Sequence, residues 1–161
     1  MVEVKKLMTS EEMLTSLRKK SRDNSRTPMQ WDDSTNAGFS TGTPWIKVNP
    51  NYTEINAREQ LQRPDSVFHY YQKLIQLRKQ HEIIVYGKYE LLDGTNPDVY
   101  AYTRTLDNEK LLIVCNFTSK ELDYPIPEMY KDGSCLISNY PDNTIGNTLR
   151  PYEAYVLHIE L

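Results

Sequence analysis

Val99-Tyr100-Ala101-Tyr102-Thr103-Arg104-Thr105-Leu106-Asp107-Asn108-Glu109-Lys110-Leu111-Leu112-Ile113-Val114-Cys115-Asn116 is two runs of aromatic, β-branched and aliphatic residues either side of Asp107-Asn108. Aspartate and asparagine tolerate positive φ, so this pair is a turn former, and the flanking runs predict strands at Val99 to Thr105 and Leu111 to Asn116. Further strands are predicted at Ile83 to Tyr86, Tyr89 to Leu92, Glu121 to Tyr124, Ser134 to Ser138 and Ala154 to Ile159. Asp93-Gly94, Asp132-Gly133 and Asn143 to Gly146 supply more turns. Many short strands at near-regular spacing, with no helix between them, predict an antiparallel sandwich rather than a parallel α/β sheet.

Working back towards the amino terminus, the period changes. Pro64 to His81 opens on a proline and an acid and closes on basic residues. Val67, Phe68, Tyr71, Leu74, Ile75 and Arg78 recur at three- and four-residue steps, which predicts a helix with a wide packing face. Thr9 and Glu12 form a capping box, Arg18, Lys19 and Lys20 suit the negative end of a helix dipole, and Met13, Leu14 and Leu17 make one stripe, so a short amphipathic helix is predicted over Thr9 to Lys20. Ser21 to Pro64 has no sustained period. Structureless stretches of that length in compact domains are either disordered or are functional loops, and Trp31, Phe39 and Trp45 argue for a loop pinned to a larger body.

With 161 residues, 39% hydrophobic and 25% charged, at a net charge of -3, the chain has enough material for a buried core and too little net charge to mark a nucleic-acid partner. No apolar run approaches membrane-spanning length, and Met1 to Lys6 lacks the apolar core of a signal peptide, which predicts a soluble cytoplasmic protein and no membrane partner. Cys115 and Cys135 sit in strand-like apolar runs, the ordinary place for a buried thiol. His69, His81 and His158 lack ligand-spaced neighbours, so no metal and no cofactor is expected.

Chemistry concentrates in Ser21-Arg22-Asp23-Asn24-Ser25-Arg26-Thr27-Pro28-Met29-Gln30-Trp31-Asp32-Asp33. Two guanidinium forks and an indole on irregular backbone suit sugar recognition, while Arg22, Asp23 and Arg26 could equally form an ion network that braces the loop. Asp32 and Asp33 are adjacent, so on extended backbone their side chains diverge, and they read as loop-stabilising acids rather than as the converging pair that glycoside hydrolysis needs. No nucleophilic triad or phosphate loop is present. No residue of the chain is therefore assigned as catalytic. The strand region is rich in tyrosine, which fits half-buried packing and also suits a carbohydrate platform; packing is the favoured reading.

The run Ser21 to Asp32, followed by Asn36-Ala37-Gly38-Phe39, Pro44-Trp45-Ile46 and Val48-Asn49-Pro50-Asn51-Tyr52, resembles the oligo-1,6-glucosidases and their near relatives in glycoside hydrolase family 13. The likeness continues through Tyr71-Gln72-Lys73-Leu74-Ile75 and ends in Leu149-Arg150-Pro151-Tyr152-Glu153-Ala154, covering practically the whole chain. It implies an α+β chain with two parts. Residues 1–82 would be the end of a (β/α)8 barrel, with short helices, a long substrate-side loop and the last barrel helix. Residues 83–161 would be an antiparallel β-sandwich of Greek-key type.

The resemblance further implies a retaining α-glucosidase acting on terminal α-1,6-linked glucose, whose nucleophile and acid/base lie upstream of this sequence. The chain alone is then expected to be inactive. Arg22 matches the arginine that touches the non-reducing glucose, with Asp23, Asn24 and Arg26 bracing its loop. The implied partners are an α-glucosidic oligosaccharide and the barrel, and an uncovered helix face predicts self-association. Trehalose-6-phosphate hydrolases and dextran glucosidases share the arginine loop. A non-catalytic structural or carbohydrate-binding sandwich module is the alternative of another class.

Overall fold

The computed structural model describes residues 8–142 and 144–161, so Asn143, at the start of one predicted turn, lies outside the described residues. The chain divides into two compact units, Met1–His69 and Tyr70–Leu161.

In the first unit, α1 (Ser10–Lys20) is closed at its start by both halves of the predicted capping box: the Glu12 amide donates to the Thr9 hydroxyl and the Thr9 amide donates to the Glu12 carboxylate. That backbone hydrogen bond holds the Glu12 carboxyl below its ordinary range. Leu14 and Leu17 of the apolar stripe are exposed, and no α1 residue is buried. Three 3₁₀ turns, Arg22–Ser25, Thr35–Gly38 and Pro50–Thr53, break up the stretch that lacked any period, and α2 (Ala57–Gln62) follows. The sequence reading missed α2, although Asn56, three residues before Glu59, is a capping signal: its side chain accepts from the Glu59 amide and donates to the Tyr52 carbonyl. α3 (Val67–Gln80) forms where the apolar period predicts it; the unit boundary falls within it, after His69, so most of its length belongs to the second unit.

The second unit is built on a five-stranded antiparallel sheet in the order β1-β2-β3-β7-β5, from β1 (Lys88–Leu92), β2 (Val99–Leu106), β3 (Glu109–Asn116), β5 (Ser134–Ser138) and β7 (Ala154–Glu160). The β2–β3 hairpin closes on Asp107, at φ 49°, and pairs Leu106 with Glu109. A two-stranded ribbon, β4 (Leu122–Asp123) with β6 (Thr148–Leu149), packs on one face of the sheet. There Leu149 joins Val99, Leu112, Val114, Tyr155 and Leu157 in the main core. The opposite face carries Leu111 and Ile113 with Ile83. Because strand side chains alternate, β3 feeds both clusters, and for that reason its run Leu111 to Val114 is apolar throughout.

One predicted strand is wrong. Ile83–Tyr86 is a single helical turn, α4. Its β-branched composition favours extended structure, but Arg104 on β2 overrides that preference by donating to the Ile83, Val85 and Gly87 carbonyls at 3.0, 3.3 and 2.9 Å.

Candidate functional site

The irregular segment after α1 is held by its own hydrogen bonds. The Asn24 amide donates to the Leu17 and Arg18 carbonyls, tying the 3₁₀ turn to the end of α1, where helix carbonyls lack partners. The Ser21 hydroxyl accepts from the Asp23 amide and the Ser25 hydroxyl donates to the Arg22 carbonyl. Arg22, Asp23 and Arg26 are all exposed, and no ion pair joins them among the described residues. The bracing-network reading of these three charges therefore fails, and both guanidinium groups face solvent.

The ion pairs of this loop lie further along. Asp32 and Asp33 converge on Arg58 of α2, each at 2.7 Å from a different terminal nitrogen, so the expected divergence of these neighbours is corrected. Two carboxylates on the two arms of one planar fork satisfy it without competing for a donor. Their reading as loop-stabilising acids holds. Hydrogen bonds from the Ser34 hydroxyl and amide, helped by Arg58, keep the Asp32 carboxyl below its usual range.

The same neighbourhood is stitched through the backbone. Ala57 and Arg58 amides donate to the Gln30 and Trp31 carbonyls, and the Gln30 side-chain amide donates to Asn51 and to the Ile55 carbonyl. Asn36, Ala37 and Gly38 are all left-handed, at φ 56°, 59° and 64°. A Cβ on Gly38 would lie 2.8 Å from an Asp32 carboxylate oxygen, so the glycine serves both the backbone angle and the close approach of that acid. Arg58, the hub of these contacts, was not singled out from sequence, because its partners are 25 and 26 residues away and no local pattern records them.

The loop presents a large apolar surface. Trp31, Phe39 and Met29 are about half exposed and Trp45 is 91% exposed. The segment thus combines a dense set of internal hydrogen bonds with two exposed indoles.

In the second unit, burial pushes the Cys115 and Cys135 thiols up, away from the thiolate that nucleophilic chemistry requires. Arg150 lies between Asp142 and the buried Glu153, over the Tyr140 ring at 3.8 Å, and organises the turn before β7. Among the described residues no group of three or more His, Cys, Asp or Glu is placed to hold a metal ion, and no helix is long and apolar enough to cross a membrane.

Two family models match the chain: the alpha-amylase catalytic domain over residues 1–87 and the alpha-amylase SusG C-terminal domain over residues 99–156. The oligo-1,6-glucosidase of Parageobacillus thermoglucosidasius is 54% identical over 157 residues, 94% of this chain and 28% of that protein. A crystal structure of Bacillus licheniformis trehalose-6-phosphate hydrolase superposes with a TM-score of 0.86 at 44% identity, over 93% of this chain and 28% of that one. The isomaltulose synthase of Klebsiella sp. LX3 superposes at 0.88 and 43% identity, over 94% and 28%. The chain spans little more than a quarter of the length of these proteins.

Proposed function

The chain belongs to the alpha-amylase family, glycoside hydrolase family 13, and from that premise we propose that it is the carboxy-terminal part of a cytoplasmic retaining α-glucosidase that removes terminal α-1,6-linked glucose from short oligosaccharides. On this reading residues 1–82 complete a (β/α)8 barrel and residues 83–161 form a Greek-key sandwich. The two family models support the division, since one stops at residue 87 and the other starts at 99. The catalytic nucleophile and acid/base belong to preceding polypeptide.

The observation that carries the proposal is the first unit's surface: a loop with fixed internal hydrogen bonds and ion pairs exposes Trp31, Phe39 and Trp45. Burying such side chains stabilises by about 1.5–3 kcal/mol each, so a barrel body is the fitting partner. The exposed face of α3, with Val67 79% and Tyr71 64% accessible, supports the same view and also self-association of the isolated chain.

Arg22 is the proposed sugar contact. It is exposed and lacks a carboxylate partner among the described residues, and its turn is anchored by Asn24 to α1, so its donors are available for hydroxyl groups. Asp23 follows it in the same turn, and the backbone amide of Arg26 closes that turn on the Asp23 carbonyl. Relatives that match over nearly the whole chain are named for different reactions, so dextran ends and trehalose 6-phosphate are the alternative substrates to α-1,6-glucosides.

Hydrolysis of isomaltose and p-nitrophenyl α-glucoside tests the reading. The purified chain should show no turnover, and the protein expressed with the coding sequence preceding Met1 should hydrolyse both. Hydrolysis by the chain alone, surviving repurification, overturns the proposal. In the longer protein, Arg22→Ala should lower kcat/KM by roughly 10- to 100-fold, the size of a lost hydrogen bond from a charged donor, and an unchanged kcat/KM removes Arg22 from the site.

A further inference from the structure

Three tyrosines meet on the β1–β2 side of the sheet. The register sets Tyr89 opposite Arg104 and Leu91 opposite Tyr102, so Tyr89 shares a sheet face with Tyr100 and Tyr102. The Tyr102 ring lies beneath the other two, with centroids 5.2 Å from Tyr89 and 5.4 Å from Tyr100, tilted by 39° and 48°. Tyr89 and Tyr100 are 45% and 43% exposed, and their hydroxyls lie 3.1 Å apart, hydrogen-bonded to each other.

This arrangement has a chemical direction. One phenol donates to the other, which leaves one O–H and several lone pairs facing solvent at a fixed spacing. That spacing is comparable to the separation of two vicinal sugar hydroxyls, which can accept the free O–H and donate back in a closed cooperative set. Beside the hydroxyls lie ring faces that match the C–H face of a pyranose. β1 is the edge of the sheet, so no further strand pairs beyond Tyr89, and on the tyrosine face Tyr102 packs against the Ile83, Leu111 and Ile113 cluster while Tyr89 and Tyr100 stay exposed.

We propose that Tyr89 and Tyr100, supported from below by Tyr102, form an auxiliary binding site for a glucopyranosyl unit of an α-glucan oligosaccharide, separate from the Arg22 loop. The choice of α-glucan rests on the glycosidase reading; the site itself rests on the tyrosine geometry. A site of this kind would hold a chain end or a second substrate molecule without taking part in chemistry.

The test is an NMR titration of the chain with isomaltotriose and with maltotriose, following backbone amides and tyrosine ring protons, alongside light scattering. Saturable millimolar binding with shifts centred on Tyr89 and Tyr100 is expected. Tyr89→Ala and Tyr100→Ala should each weaken it about 5- to 10-fold, the range of one aromatic contact. The double variant Tyr89→Phe with Tyr100→Phe keeps the rings and the packing on Tyr102, so it guards against misfolding and should fall between wild type and the alanine variants. No saturable binding by the folded wild type, or binding unmoved by the alanine variants, overturns the proposal. So does self-association that the alanine variants abolish while sugar has no effect, since the face would then be a protein contact. None of these outcomes bears on hydrolysis by the longer protein, so the two readings fail separately.

Discussion

Asp32 and Asp142 are carboxylates held in their charged form by their neighbours. The Ser34 hydroxyl and amide hold the Asp32 carboxyl below its ordinary range, with Arg58 adding to them, and the Arg150 guanidinium does the same for Asp142. A carboxyl whose folded value is depressed binds fewer protons than in the unfolded chain. Its stabilisation is therefore complete above the unfolded value of about 3.9 and is lost as pH falls through the lower folded value. Urea midpoints should stay flat from neutral pH to about 5 and fall in the acid range below about 4. Asp142→Asn should flatten part of that fall, and a wild-type midpoint independent of pH down to 3 counts against both carboxylates. Gly38 acts at the same scale, since it admits both the left-handed turn and the approach of Asp32. The left-handed turn at Asn36-Ala37-Gly38 lies in the stretch without a period and was not predicted, and neither was the acid that Gly38 makes room for, because that contact is made through space.

Among the elements, α4 shows most clearly where local preference loses. Ile83-Ile84-Val85-Tyr86 reads as a strand by composition, yet it is a helical turn because three of its neighbouring carbonyls find donors on one side chain of β2. Arg104→Met should keep the packing volume and remove those donors, costing about 2–3 kcal/mol for the carbonyls left without partners. Chemical denaturation measures the loss, and amide exchange should place the added opening at Ile83 to Gly87. A variant as stable as wild type would mean that α4 is held by Ile83 packing alone. By contrast, α1, α3 and the β2–β3 hairpin carry their signals locally. A capping box, a period of three and four, and an Asp-Asn turn each act within a few residues, so each element stands where its sequence predicts. α2 and β6 carried weaker marks: α2 has only the capping asparagine at Asn56, and β6 is two residues long, defined by pairing with Leu122 and Asp123.

Across the molecule the two units differ in how they are stabilised. Tyr70–Leu161 has a closed core in which Leu112, Val114 and Leu149 are fully buried. Among its described residues the first unit buries no large apolar side chain and relies on hydrogen bonds, the pairing of Arg58 with Asp32 and Asp33, and the exposed Arg63–Asp65 pair. Limited proteolysis should accordingly cut first between residues 21 and 64 and leave a resistant product that retains Tyr70–Leu161. Leu112→Ala should cost about 2–5 kcal/mol and make that product labile as well. Equal cleavage rates in both units would show that the first holds together by itself, which would weaken the case for a barrel partner.

By itself the sequence determined the helix and strand periods, the capping box at Thr9, the β2–β3 turn and the membership signalled by the arginine loop, because each is encoded by neighbouring residues. Tertiary structure alone decided that Asp32 and Asp33 share Arg58, that Ile83–Tyr86 is helical, and that Tyr89 and Tyr100 join over Tyr102. Those arrangements depend on groups brought together from distant positions, and their energies come from donors, acceptors and ring faces that no local window of residues contains.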